Sequence, residues 1–155
     1  MIPRNAGVVI NISSASSYHH MRYWSIYSAT KKFISHFTHI LSKEFNNTGI
    51  VFQVVCPFIV DTKNLKTKAS RFPSTSLLSF FSSFFVPESR TFVKQALCSV
   101  GHITKTTGYL AHEIQAYTLA LPELMADFIV DKISLMIRKR AIRRNQRVAA
   151  KKDSS

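Results

Sequence analysis

Two short unbroken apolar runs stand early in the chain. "GVVINIS" (7–13) opens on a glycine and is largely β-branched. A run of that length and composition predicts a strand buried on both faces, as in parallel sheets. "IVFQVVC" (50–56) repeats the pattern and is stopped by Pro57. Between them the period changes. "SASSYHHMRYW" (14–24) is polar and aromatic with no steady spacing, which predicts a loop. From Ser25 to about Phe45, the residues Ile26, Phe33, Ile34, Phe37, Leu41 and Phe45 recur mainly three, four or seven apart. That spacing predicts a helix with one apolar face. Asn46 to Gly49 supplies its C-terminal cap and turn. Strand, loop, helix and strand make one βαβ unit, with a right-handed crossover expected.

Farther on the pattern is less regular. Residues 61–75 are basic and serine-rich, and "SLLSFFSSFFV" (76–86) is rich in phenylalanine. Pro87, with Glu88 behind it, suits the first turn of a helix that runs to Gly101. "TTGYLAH" (106–112) predicts a short third strand. A long helix follows from Ile114 to about Arg144, interrupted or kinked near Pro122. The expected fold class is α/β, about three parallel strands with flanking helices.

The chain has 155 residues, of which 46% are hydrophobic and 19% charged, so it can build one domain with a core. The net charge of +13 changes the picture only locally. Arg138, Lys139, Arg140, Arg143, Arg144, Arg147, Lys151 and Lys152 crowd the end, leaving the body moderately basic. The organisation expected is a body of residues 1–137 followed by a basic tail, 138–155. Such a tail is solvated or meets phosphate-bearing surfaces, an anionic bilayer face among them. It lacks interleaved aromatics and follows no nucleic-acid-binding motif, so nucleic acid is not an expected partner. Cys56 and Cys98 have neither CxxC nor framework spacing and are expected as free thiols in a reducing compartment. The first residues form no signal peptide, and no segment reaches the ~20 apolar residues of a membrane span.

The candidate chemistry lies in "YSATK" (27–31). Tyr27 and Lys31 are four residues apart, one turn on the predicted helix. Ser14 stands just past the first strand, and Pro57 to Thr62 just past the second. In open α/β sheets, ligands bind beyond the carboxyl ends of the strands, so three segments deliver polar groups to one edge. This set suits carbonyl reduction or its reverse. A tyrosine hydroxyl ionises near pH 10 and is by itself a poor acid–base catalyst at neutral pH. An ammonium one turn away favours the phenolate. Ser14 can then hold the substrate oxygen while Tyr27 exchanges its proton. Each element also has a plain reading: a packed ring beside a solvated charge, and an ordinary loop serine. Of the tyrosines ahead of the helix, Tyr18 is followed four residues later by Arg22 and Tyr23 by Tyr27, so neither has the lysine. His36 and His39, three apart on the helix, have no third ligand nearby, and no metal is expected.

"NISS" followed by "YSATK", with Ser14 thirteen residues before Tyr27, resembles the catalytic segment of the short-chain dehydrogenase/reductases. "CPFIVDTK" (56–63) resembles that family's Pro-Gly-x-Val-x-Thr segment, with Phe58 in place of the usual glycine. An aromatic there is typical of the branch of 17β-hydroxysteroid dehydrogenases types 3 and 12, the latter a very-long-chain 3-ketoacyl-CoA reductase. "TTGYLAHEIQ" (106–115) is similar to the same branch. The resemblance implies the C-terminal half of a doubly wound, parallel-sheet Rossmann fold, using NADP(H) to reduce a steroid or a long-chain 3-ketoacyl thioester. It implies Ser14, Tyr27 and Lys31 as catalytic residues, and Tyr27, Lys31, Pro57, Val60 and Thr62 as cofactor contacts. It also implies a lipophilic carbonyl substrate, a possible homo-oligomer, and the cytosolic face of the endoplasmic reticulum membrane. Residues 76–86 fall where that branch covers its substrate; Phe80, Phe81, Phe84 and Phe85 are the candidate lid, with core burial the alternative. Tyr109 and His112 are candidates for the substrate end, again with core packing as the alternative.

The resemblance covers about residues 1–137, matching only the second half of such a protein. The Gly-rich dinucleotide loop, the Asn-Ala-Gly segment and a further catalytic asparagine are not found. "NAG" at 5–7 lies too close to the first strand to be that segment. The chain alone is therefore expected to bind a dinucleotide weakly, and a non-catalytic truncated form is the second reading. The open edge of its first strand is expected to invite pairing.

Overall fold

The computed structural model describes residues 1–62, 84–118 and 123–152. A one-turn 3-10 helix at Ile2–Arg4 leads into β1 (Gly7–Ile12), then α1 (Ser25–Glu44) and β2 (Ile50–Val55). After them come α2 (Ser89–Cys98), β3 (Lys105–Thr106), α3 (Leu110–Thr118) and α4 (Glu123–Lys152). The three strands form one parallel sheet in the order β1-β2-β3. Gly7 pairs with Ile50 and Ile12 with Val55, so both longer strands end level on one edge.

β2 is the centre of the molecule. Its alternation sends Phe52 and Val54 to one face and Gln53 and Val55 to the other. On the first face the Phe52 ring meets Phe45 of the α1 cap at 5.4 Å. On the second, Gln53 Nε2 donates to the Ser99 carbonyl, the Ser99 hydroxyl and the Ile103 carbonyl at 2.9–3.1 Å. That places a fully buried amide where the turn after α2 needs a donor. Helices thus lie on both faces of β2, the doubly wound arrangement expected for α/β.

Four expectations are corrected. β1 is not buried on both faces: Val8, Ile10 and Ile12 are exposed. α1 covers the opposite face, through the Asn11–Thr38 hydrogen bond of 2.8 Å. β1 is the edge strand, and among the described elements none lies over its second face. α1 begins and ends as its spacing predicts and Phe45 of its apolar stripe meets β2, but Ile26, Phe33 and Phe37 of that stripe face away from the sheet. Ile26 and Phe33 are 84% and 66% exposed, whereas Ser35 and Thr38 are buried. Small polar side chains let this helix approach the sheet closely while their hydroxyls are satisfied: Thr38 donates to Ile34 O at 2.7 Å and receives Asn11. The third strand is only two residues long, because Gly108 at φ 81° turns the chain and α3 starts at Leu110. The Glu113 carboxylate accepts from the Thr107 amide at 2.7 Å and the Thr106 hydroxyl at 3.0 Å, which fixes that start. Finally, the helix expected from Ile114 to about Arg144 starts earlier, at Leu110, and its second segment, α4, continues to Lys152, so residues 138–152 are helical. Pro122, and with it the expected kink, lies outside the described residues, as do residues 63–83 with Phe80 and Phe81.

Candidate active site

The carboxyl ends of β1 and β2 are stitched together beyond their last residues. Ser13 donates its amide to Val55 O at 2.7 Å, and Ala15 donates to Pro57 O at 2.9 Å. Ser14 therefore sits between two rungs that hold it against the Pro57 segment. Its Oγ accepts from the Ser16 amide at 3.2 Å and caps the 3-10 turn Ala15–Ser17. A hydroxyl that accepts in this way still has its own hydrogen to give.

α1 is anchored to the same edge by its first turns. Lys31 Nζ donates to Ile12 O, the last carbonyl of β1, at 3.0 Å. Ser13 Oγ donates to the Lys31 carbonyl at 2.6 Å, and Ser28 Oγ to Ser16 O at 2.6 Å. Lys31 spends one of its three hydrogens on Ile12 and keeps two. Its Nζ stands 5.8 Å from the centre of the Tyr27 ring, whose other neighbour is Trp24, edge-on at 5.8 Å. Tyr27 is 44% exposed, so its ring is held while its side chain faces open space. The structure thus brings Ser14, Tyr27, Lys31 and Pro57 to one edge. Val60 and Thr62 follow on the same segment. There, the Asp61 amide donates to Pro87 O at 2.9 Å and Ser89 Oγ donates to Asp61 O, tying the segment to the start of α2.

Two further groups stand beside this edge: His112, for which core packing is the alternative to a place at the substrate end, and the half-buried Tyr18. His112 is fully buried in a cage of rings: Tyr109 at 5.3 Å, Phe58 at 5.6 Å and Phe92 at 6.0 Å. Its Nε2 lies 3.2 Å from Phe85 O. Phe58, the residue that departs from the glycine pattern, is thereby explained as one wall of this cage. Burial pushes the His112 imidazolium below the usual histidine range, and the carbonyls around it oppose that shift only in part. Tyr18 is the other. Burial first, then the neighbouring Cys56 thiol, hold its phenol above the usual tyrosine range, and Lys105 Nζ lies 4.2 Å over its ring. Cys56 and Cys98 are both free, the first buried and the second exposed.

The His112 cage carries a pH prediction. A histidine whose folded pKa is depressed binds its proton more readily in the unfolded chain. Stability is then complete above about pH 6.5 and falls as pH drops through that value toward the folded pKa. Thermal midpoints measured at descending pH are expected to fall for the native chain and to fall less steeply for His112→Leu. Parallel slopes would assign the acid sensitivity to other groups.

Compared with known proteins, residues 1–71 match the family model described as short chain dehydrogenase. The very-long-chain 3-oxoacyl-CoA reductase let-767 of Caenorhabditis briggsae is 39% identical over 150 residues, covering 96% of this chain and 44% of the relative. The chain therefore spans about half the length of the curated relatives it matches. Among solved structures, a 7beta-hydroxysteroid dehydrogenase superposes with TM-score 0.69 at 18% identity, covering 83% of this chain and 48% of that one. A short-chain dehydrogenase from Sphingobium yanoikuyae in complex with NADPH superposes with TM-score 0.52 at 25% identity, covering 81% and 47%. The parallel sheet agrees with these folds, and with the family match and the relative the conclusion is that the chain belongs to the short-chain dehydrogenase family.

Proposed function

We propose that this chain carries the catalytic half of an NADP(H)-dependent reductase that turns a keto group into a hydroxyl. Its substrate is a lipophilic carbonyl compound, a long-chain 3-oxoacyl thioester first and a steroid second, in line with the relative's name. The observation that carries the reading is the anchoring of Lys31 on Ile12 O beside the Tyr27 ring. The residues fit a nicotinamide ribose, because Lys31 has two hydrogens left and Tyr27 is half exposed at the open strand edge. When bound, NADPH supplies the hydride. Ser14 donates its hydrogen to the carbonyl oxygen and orients it. Tyr27 passes its proton to that oxygen as charge develops there, and Lys31 holds the phenol in place. Pro57, Val60 and Thr62 would line the carboxamide side.

The same reading takes residues 1–137 as the catalytic half, with residues 138–155 as a basic extension. It places the protein at the cytosolic face of the endoplasmic reticulum membrane, where the arginines and lysines of α4 favour anionic headgroups. None of the described helices is long and apolar enough to cross a bilayer. Self-association would use the exposed apolar residues Ile26, Phe33 and Phe37 of α1.

The test is a chimera in which residues 1–155 follow the N-terminal half of the C. briggsae relative. NADPH consumption with a long-chain 3-oxoacyl-CoA is the expected result, with a 17-ketosteroid offered in parallel. A folded chimera that binds NADPH but reduces neither would defeat the assignment.

A further inference from the structure

The loop that enters α1 is bound to a distant helix. His20 Nδ1 lies 3.0 Å from Asp127 Oδ2, and its amide donates to Asp127 Oδ1 at 3.4 Å. Arg22 Nη2 is 2.9 Å from Asp131 Oδ2, and the Arg138 guanidinium stands 4.1 Å over the Tyr23 ring. Positions 127, 131 and 138 fall on one stripe of α4 by its helical period. Charge explains the match: the loop offers His19, His20 and Arg22, and the first turns of α4 carry the acids while its later turns are basic. Beneath these contacts runs a cleft of about 630 Å³, lined by Ser17, Ser28 and Lys32 besides the paired groups.

The loop ends in a conformation that needs holding. Tyr23 has φ 70°, left-handed backbone that a bulky residue seldom adopts. The next residue, Trp24, is the N-cap of α1, has no side-chain capping bond and packs edge-on against Tyr27. A continuous set of contacts therefore runs from α4 through Arg22 and Tyr23 to Trp24 and Tyr27.

We propose that α4 straps the catalytic loop, with Asp127, Asp131 and Arg138 as positioning residues that fix Trp24 and, through its ring, Tyr27. This rests on the reading of Tyr27 given above. Each contact is exposed and weak singly. Their value lies in acting together, from one rigid helix face, on a loop that no strand pairing holds. The strap is correspondingly sensitive to salt.

Trp24 is the chain's one tryptophan, so its emission reports the loop with neither substrate nor turnover. Acrylamide quenching of Trp24 is expected to rise at least twofold, with a red shift, in the double variant Asp127→Asn, Asp131→Asn. Arg138→Gln should do the same in part, and so should the native chain in 1 M salt, where the screening length shrinks to about 3 Å. The exchange Arg22→Asp with Asp131→Arg should return quenching to the native value. In the chimera, the double variant should lower kcat about tenfold with KM unchanged, short of the ~10²-fold loss that a 1 Å misplacement can bring. Native-like quenching in a double variant with intact far-UV circular dichroism would overturn the strap, as would failure of the charge exchange to restore it. The strap is thus judged on Trp24 emission, whereas the role of Tyr27 is judged on turnover of Tyr27→Phe.

Discussion

Replacing Tyr27 with phenylalanine in the chimera is expected to lower turnover by about 10²- to 10⁴-fold, the range for losing a positioned general acid. The fold should be unaffected. The ring makes the contacts: Trp24 meets it edge-on and Lys31 stands beside it, and phenylalanine keeps both. Unfolding midpoints of the two chimeras should therefore agree within about 0.5 kcal/mol, as for substitutions outside a core. NADPH binding should also survive, because Lys31 remains anchored on Ile12 O. Tyr23 supplies the control. It is another exposed tyrosine of the same loop region, and it lacks the lysine one turn on. Tyr23→Phe keeps the ring that Arg138 covers and should leave turnover within about twofold, as expected of a surface change. Equal losses in the two variants would mean that the loss is not specific to the Tyr27 hydroxyl, and the proton-transfer role would fall.

The pair and its setting were legible because they are local. Tyr27 and Lys31 share a helix turn, β1 and β2 are short β-branched runs, and Ser14 follows a strand end directly. The same physics explains what was not legible. The spacing of Ile26, Phe33 and Phe37 defines a helix face, yet it cannot say which neighbour that face meets; the sheet took the serine and threonine side instead. β-branched Thr106 and Thr107 favour a strand, but a glutamate seven residues on captured their hydroxyl and amide and started a helix. Phe58 looked only like a departure from a pattern until it was seen to wall the histidine cage with Tyr109 and Phe92. The His20–Asp127 contact joins residues 107 apart, and no local signal announces such a pair.

Gly108→Ala is expected to be the most damaging conservative change to the fold. Gly108 has φ 81°, and its amide donates to Thr106 Oγ1 at 2.9 Å, so the turn between β3 and α3 depends on its backbone. A Cβ placed there would stand 2.8 Å from Val55 Cγ1 and 2.9 Å from Phe92 Cζ, closer than real carbon contacts come. Two costs combine. Left-handed backbone costs a residue with a Cβ about 1–2 kcal/mol. Overfilling a packed interior adds roughly 1–3 kcal/mol. A loss of about 3 kcal/mol is thus expected, read from the urea midpoint at unchanged m-value. Gly101 separates the terms. It has φ 83°, but a Cβ there would meet nothing within 4 Å. Gly101→Ala should therefore show the backbone cost alone, about 1 kcal/mol. Equal losses at the two glycines would show that Val55 and Phe92 yield freely. A larger loss at Gly108 would show that they do not. It should then come with reduced turnover in the chimera, because Phe92 leans on His112 and His112 on Phe58, one residue from the Pro57 rung that holds the site.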